Sequence, residues 1–247
     1  MENTNTLSSS PQRGTQRVLR IGHRGAAGHA PENTLAAIRS GIALGCDFVE
    51  LDVQSTRDGR LVLMHDLLVD RTTNGSGLVS ELTWEELQLL DAGTGERVPS
   101  LEAALAAASG HAGVILEAKT RGIGPAMHRA VQASAFPSPV IYASFQHADV
   151  LEISRIDPLV RTKVLIEWVP VSGPAFAHEA QAALVGLSFA SASAAFIAAL
   201  HGAGLEVLLY TVNEPKLIRT AIQLGADGII SDYPERVPTV RSTSDSH

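Results

Sequence analysis

The chain has 247 residues, 45% apolar and only 4% aromatic, enough for one large core of Ala, Leu, Val and Gly rather than an aromatic-rich β-sandwich. A formal net charge of −7 with no run of Lys or Arg argues against a nucleic-acid surface while leaving room for a local basic pocket. The single cysteine, Cys46, excludes an internal disulfide framework, and its apolar setting reads as a buried, inert thiol.

In chain order, residues 1–17 are polar and rich in Ser, Thr and Asn, with no apolar run. They read as a disordered tail rather than a secretory signal, which makes the cytoplasm the expected compartment. Residues 18–22 form the first predicted strand and 34–44 the first helix. Strands at 48–53 and 60–65 follow, then helices at 83–90 and 101–108 and a strand at 113–118. The remaining strands are expected at 140–144, 162–166, 184–188, 206–212 and 228–231, with helices at 125–133, 148–156, 192–201 and 215–224. Thr83 with Glu86 makes a capping-box pattern, and Gly45, Gly202 and Gly225 fall just past apolar helix faces. From about Arg236 the chain reads as a second disordered tail. No stretch approaches 18 uninterrupted apolar residues, so no membrane span is expected.

This alternation predicts parallel strands joined by crossover helices, an α/β fold of the (β/α)8 TIM-barrel type over residues 18–235. The candidates make about nine strands, one too many. The loop at 55–59 is too short for a crossover helix, which takes about a dozen residues. Residues 60–65 must therefore fold back antiparallel on the second strand or belong to an excursion above the barrel, within a small insertion over about 54–97. A doubly wound open sheet is the alternative; the absence of a glycine-rich phosphate loop after the first strand argues against its nucleotide-binding versions.

Barrels of this kind build their active sites at the C-terminal strand ends. Those positions hold His23 and Arg24, then Glu50 and Asp52, then Glu117 and Lys119, then Ser144, with His65 and Asp66 ending the folded-back strand. Glu50 and Asp52 are two residues apart and share one side of their strand; Glu117 and Lys119 repeat the pattern. Carboxylates converging on one barrel mouth repel each other unless a cation lies between them. All-oxygen ligation suits a hard ion, Mg2+ or Ca2+. His23 and His65 suit proton transfer, because an imidazole titrates near neutrality. His29, His111, His128, His147, His178 and His201 read as structural, most of them lying in loops or helices with no acidic strand-end company.

These pieces together resemble a known family. Ile21-Gly22-His23-Arg24-Gly25, Pro31-Glu32-Asn33-Thr34, Glu50-Leu51-Asp52-Val53, Thr56-Arg57-Asp58-Gly59 and His65-Asp66 stand in the order of the glycerophosphodiester phosphodiesterase signature. Asp70-Arg71-Thr72-Thr73-Asn74-Gly75, Leu116-Glu117-Ala118-Lys119, Ser144-Phe145, Thr211-Val212-Asn213 and Asp227-Gly228-Ile229-Ile230-Ser231-Asp232 continue it, so the resemblance runs from about Val18 to Pro234. It looks most like the short cytosolic bacterial members. It implies one divalent cation held by Glu50, Asp52 and Glu117, His23 and His65 as acid and base, and Arg24 and Lys119 near the phosphate. Tyr210 stands where many relatives carry Trp, and keeps an aromatic wall beside the glycerol; Ser231 replaces a commoner Thr. Asn33 or Thr34 would cap the first helix and fix the His23–Arg24 loop. Arg71 and Asn74 would shape the insertion as a lid.

The implied reaction is hydrolysis of small glycerophosphodiesters to sn-glycerol 3-phosphate and an alcohol, by water or by prior attack of the glycerol hydroxyl. The rivals are a lysophospholipase D or sphingomyelinase D-like enzyme, favoured by an apolar lip for an acyl chain, and a non-catalytic barrel that binds phosphodiesters or metal.

Overall fold

The computed structural model describes residues 17–238. Its strands and helices follow in chain order: β1 (Leu19–Gly22), α1 (Leu35–Ala43), β2 (Phe48–Ser55), β3 (Leu61–Leu63), α2 (Trp84–Gln88), α3 (Leu101–Ala108) and β4 (Gly113–Ala118). Then come α4 (Gly124–Ser134), β5 (Val140–Ser144), α5 (His147–Ile156), β6 (Arg161–Ile166), α6 (Ala175–Glu179) and β7 (Leu184–Ser188). The last are α7 (Ala194–Gly202), β8 (Glu206–Tyr210), α8 (Pro215–Leu224) and β9 (Gly228–Ser231). Eight strands pair in parallel in the order β1-β2-β4-β5-β6-β7-β8-β9, and β9 returns to β1 with Ile21 beside Ile230. The expected (β/α)8 barrel is therefore closed, and the open doubly wound sheet is not formed.

Strand parity divides the residues between two cores. Ile21, Phe48, Ile115, Ile141, Leu165, Leu184, Leu208 and Ile230 fill the barrel. Alternate positions such as Val49, Leu51, Val114 and Leu116 pack outward under α1, α3 and α4. Both faces of β2 are buried, as a parallel strand under helices requires. Helix ends follow local chemistry. Thr34, rather than Asn33, caps α1 by accepting from Ala37 N–H, and Thr83 with Glu86 forms the expected capping box. Gly225 ends α8 in the left-handed region at φ 104°. Gly202 instead lies within α7.

The ninth strand behaves as its short loop demands. Leu61–Leu63 runs antiparallel to Val53–Ser55, at the end of β2 beyond the barrel. The excursion continues to Ser100 and encloses its own small core of Val62, Met64, Val69, Val79, Leu87, Ala92 and Val98.

Several boundaries differ from expectation: β3 covers Leu61–Leu63 rather than 60–65, and α2 ends at Gln88 rather than 90. The strand predicted at 206–212 stops at Tyr210. The five-residue α6, flanked by Gly173 and Pro174, carries too little periodicity to be read in advance. At the C-terminal end, Pro234–Arg236 form a 3₁₀ turn and Val237 is fully buried, so packing runs past residue 235. Arg20 on β1 causes this: its Nε and Nη2 donate to the Val237 carbonyl at 2.9 and 2.7 Å. Arg17, assigned to the N-terminal tail, pairs with Asp47. The other tail residues expected to be disordered, 1–16 and 239–247, lie outside the described residues. Among the described residues no helix is long and apolar enough to cross a membrane.

Candidate active site

The inward parity that buries Phe48 at the bottom of β2 carries Glu50, Asp52 and Gln54 up the inside of the barrel. Cross-strand register completes the cluster: Asp52 lies directly beside Glu117 of β4. Glu50, Asp52 and Glu117 each present an oxygen within 4.8 Å of the others. All three are buried. Burial, then repulsion from Asp52, raises Glu117 to about 7. Burial and Asp52 likewise raise Glu50.

Cations surround this cluster without quenching it. Lys119 Nζ is 2.7 Å from Glu117 Oε1 and 3.6 Å from Asp52 Oδ1. Arg24 Nε lies 3.3 Å from Asp52 Oδ2, but out of hydrogen-bonding line. The loop after β1 is held against the carboxylates by its backbone. Arg24, at φ 49°, donates its N–H to Glu50 Oε2 at 3.0 Å. Gly25 follows at φ 91°, where a Cβ would stand 2.5 Å from the Ala37 carbonyl carbon. Asn33 closes the loop: its N–H donates to the Arg24 carbonyl, and its side chain exchanges two hydrogen bonds with Asp52, at 2.8 and 3.1 Å.

One carboxylate oxygen of the trio is left over. Glu50 Oε1 is buried with no hydrogen-bond partner, a costly state for a carboxylate oxygen. An unpartnered oxygen at the centre of a buried acidic trio is what a hard divalent cation would satisfy, so the residues fit such an ion.

Each histidine is braced by a carboxylate. His23 Nδ1 sits 2.7 Å from Asp232 Oδ1, and Asp232 in turn accepts from Asn213 Nδ2 at 2.6 Å. Burial alone would lower His23, but the Asp232 hydrogen bond and the Glu50 charge outweigh it, and the net shift is upward. His65 Nδ1 sits 2.6 Å from Asp66 Oδ1. Arg71 Nε donates to Asp66 Oδ2, and this hydrogen bond, ahead of all other causes, holds Asp66 well below the usual carboxylate range. Arg71 also grips Glu32 at 2.7 and 2.8 Å, and Glu32 accepts from Arg24 at 2.6 Å. Both rings thus commit Nδ1 to a carboxylate and keep Nε2 for chemistry. The Arg24–Glu32–Arg71–Asp66 chain ties the insertion to the barrel loop. Gln54 supports the same segment, its amide donating to the carbonyls of Met64, His65 and Asp66.

A small pocket opens beside the carboxylates, lined by His23, Glu50, Glu117, Lys163, Phe145 and Tyr210 among others. Tyr210 donates its hydroxyl to the Ile166 carbonyl at 3.0 Å and meets Phe145 edge-on. Ser144 is not part of this surface; it bonds the Ala118 carbonyl and Gln146 N–H. Of the histidines read as structural, His128 meets Tyr142, His147 the Leu165 carbonyl, and His201 Asp227.

Lys163, Gln54, Glu32 and the bracing carboxylates Asp66 and Asp232 had no role assigned from sequence. Lys163 carried a usable signal. It is a lone charge inside the strand run Thr162-Lys163-Val164-Leu165-Ile166, at the inward parity of Leu165.

The sequence model described as the Glycerophosphoryl diester phosphodiesterase family matches residues 23–236. A glycerophosphodiester phosphodiesterase from Caldanaerobacter subterraneus is 32% identical over 235 residues, covering 89% of this chain and 96% of that protein. A phosphodiesterase from Oleispira antarctica, solved with its product sn-glycerol-3-phosphate, superposes with a TM-score of 0.83 at 27% identity, covering 90% of this chain and 95% of that one. A glycerophosphodiester phosphodiesterase structure from Agrobacterium tumefaciens gives a TM-score of 0.77 at 29% identity, covering 90% and 99%.

Proposed function

The chain belongs to the glycerophosphoryl diester phosphodiesterase family, and from that premise we propose that it hydrolyses small glycerophosphodiesters to sn-glycerol 3-phosphate and an alcohol, using a divalent cation and a histidine pair. The observation that supports this reading is that His23, with Nδ1 on Asp232, lines one pocket with Glu50 and Glu117 of the acidic trio, while His65, with Nδ1 on Asp66, follows the strand that folds back on β2.

Glu50, Asp52 and Glu117 would hold the cation, Mg2+ or Ca2+, which when bound supplies neutralisation of the phosphoryl charge. Arg24 and Lys119 orient the phosphodiester through its non-bridging oxygens, and their donors are fixed by Glu32, Asp52 and Glu117 before substrate arrives. One imidazole takes the proton of the attacking oxygen at Nε2, and the other delivers a proton from Nε2 to the departing alkoxide. Asp232 and Asp66 fix the tautomers and stabilise whichever ring is protonated. Tyr210 and Phe145 give the glycerol an aromatic wall.

The rim favours a second reading, a lysophospholipid substrate. Trp168, Val169 and Val171 follow β6, Leu67 and Leu68 follow β3, and all are exposed. One assay separates the two: release of glycerol 3-phosphate from glycerophosphocholine, against release of choline from lysophosphatidylcholine, each with and without chelator. Chelator-sensitive turnover of glycerophosphocholine supports the first reading. Turnover of the lysolipid alone replaces it with the second, and turnover of neither removes both.

A further inference from the structure

The pocket beside the carboxylates has a charged group for which the proton-transfer chemistry has no use. Lys163 projects from β6, on the far side of the barrel from β2, in register with Ala143 of β5 and Leu184 of β7. The residue is 1% exposed. Its stem fills space left by Gly186 on β7, where a Cβ would lie 3.4 Å from Lys163 Cδ and 2.4 Å from Leu165 Cδ2. Among the described residues its ammonium has no hydrogen-bond acceptor and no carboxylate within ion-pair distance. It nevertheless lines the pocket together with Glu50 and Glu117.

An ammonium buried without a partner is costly, and an apolar residue of the same length would fill the space without that cost. Its place in the pocket wall therefore points to a ligand oxygen. The neighbours say which kind. A phosphate oxygen can accept from Lys163 but cannot donate to Glu50 or Glu117. A quaternary ammonium offers no acceptor and is repelled by Lys163. A hydroxyl group does both jobs, accepting from the ammonium while its proton goes to a carboxylate. Leu165, Tyr210, Phe145 and Ile230 supply apolar surface for the C–H faces of a polyol.

We infer that Lys163 is a specificity-determining residue that donates a hydrogen bond to a hydroxyl of the substrate's glycerol moiety. This rests on the phosphodiesterase reading above. It sets the substrate's direction: the glycerol faces inward, and the second alcohol faces the rim. Discrimination then falls on the glycerol rather than on the headgroup.

Binding of sn-glycerol 3-phosphate and n-propyl phosphate, measured by calorimetry with Mg2+ present, tests this in the parent, in Lys163→Met and in Lys163→Gln. The parent should prefer glycerol 3-phosphate by about 10–100-fold, the range for a hydrogen bond to a charged group. Lys163→Met should shrink that preference to a few-fold while leaving propyl phosphate affinity near the parental value, and Lys163→Gln, which keeps a donor, should recover part of it. Thermal melts should show Lys163→Met at least as stable as the parent. An unchanged preference in Lys163→Met overturns the role of Lys163, as does equal weakening of both ligands. A parent that binds neither ligand sinks the phosphodiesterase reading, and this inference with it.

Discussion

Glu50→Gln should make the metal-free protein more stable at pH 8 and at the same time cost it most of its response to divalent cations. Glu50 is the right position because, among the described residues, no cation lies within ion-pair distance of it and one of its oxygens has no hydrogen-bond partner. Asp52 is a poorer choice, since an amide there would set donors against Asn33 and Arg24. Two unit charges within 4.8 Å of each other at an effective dielectric of about 20 repel by roughly 3.5 kcal/mol or more. Arg24, Lys119 and partial protonation offset much of that, leaving a gain of about 1–2 kcal/mol, or roughly 2–8 °C in Tm. The pH dependence has a definite sign. Glu117 is raised from 4.5 to about 7, and Glu50 is raised too. The native state therefore holds extra protons, and the associated stability is full below about 4.5 and lost as pH rises through about 7. The advantage of Glu50→Gln should accordingly be small at pH 5 and largest at pH 8. At a cation concentration about a hundredfold above Kd the parent gains about 2.7 kcal/mol, and the variant should gain well under half of it. Thermal melts with chelator and with Mg2+ or Ca2+, at both pH values, measure each quantity. A variant destabilised in chelator at pH 8, with a metal response equal to the parent's, would refute the electrostatic reasoning.

Three further outcomes follow from the same geometry. His23→Ala and His65→Ala should each lower turnover by roughly 10^2–10^4 with melting and metal response retained; turnover within threefold of the parent removes that histidine from the mechanism. Asp232→Asn should cost about tenfold or more in kcat, as part of the acid–base contribution, while the metal-induced shift in melting stays parental; loss of that shift would make Asp232 part of the metal site instead. Arg71→Ala should change stability by no more than about 1 kcal/mol, because Arg71 is half exposed. It should still raise KM by releasing Asp66 and Glu32, and an unchanged KM would show that the insertion holds its place without this latch.

How much of the site the sequence reveals depends on range. Glu50 and Asp52 share a face because strand parity is local, and the antiparallel return of β3 follows from a loop too short for a helix. The pairing of Asp52 with Glu117 needs the register of two strands 65 residues apart, which no local pattern encodes. The His23–Asp232 contact spans 209 residues and exists only because β9 closes against β1. Lys163 escapes a local reading because a lysine in a strand ordinarily faces solvent. Its burial depends on the space at Gly186, one strand away. The burial of Val237 likewise rests on a guanidinium at Arg20, far off in sequence.

The insertion after β2 has its own apolar centre and meets the barrel through the pairing of β3 with Val53–Ser55, the Gln54 amide, the Glu32–Arg71 pair, Glu96 at the start of α1 and a bridge at Ser100. Barrel closure runs through the lower part of β2, against β1 and β4. On the proposed reading, changes within residues 56–99 should be tolerated where a histidine returns to the position of His65, a cation still meets Glu32, and the contacts of Glu96 with α1 and of Gln54 with the segment's backbone are kept. Grafting this segment between homologous barrels should transfer substrate preference while the host's folding rate stays its own.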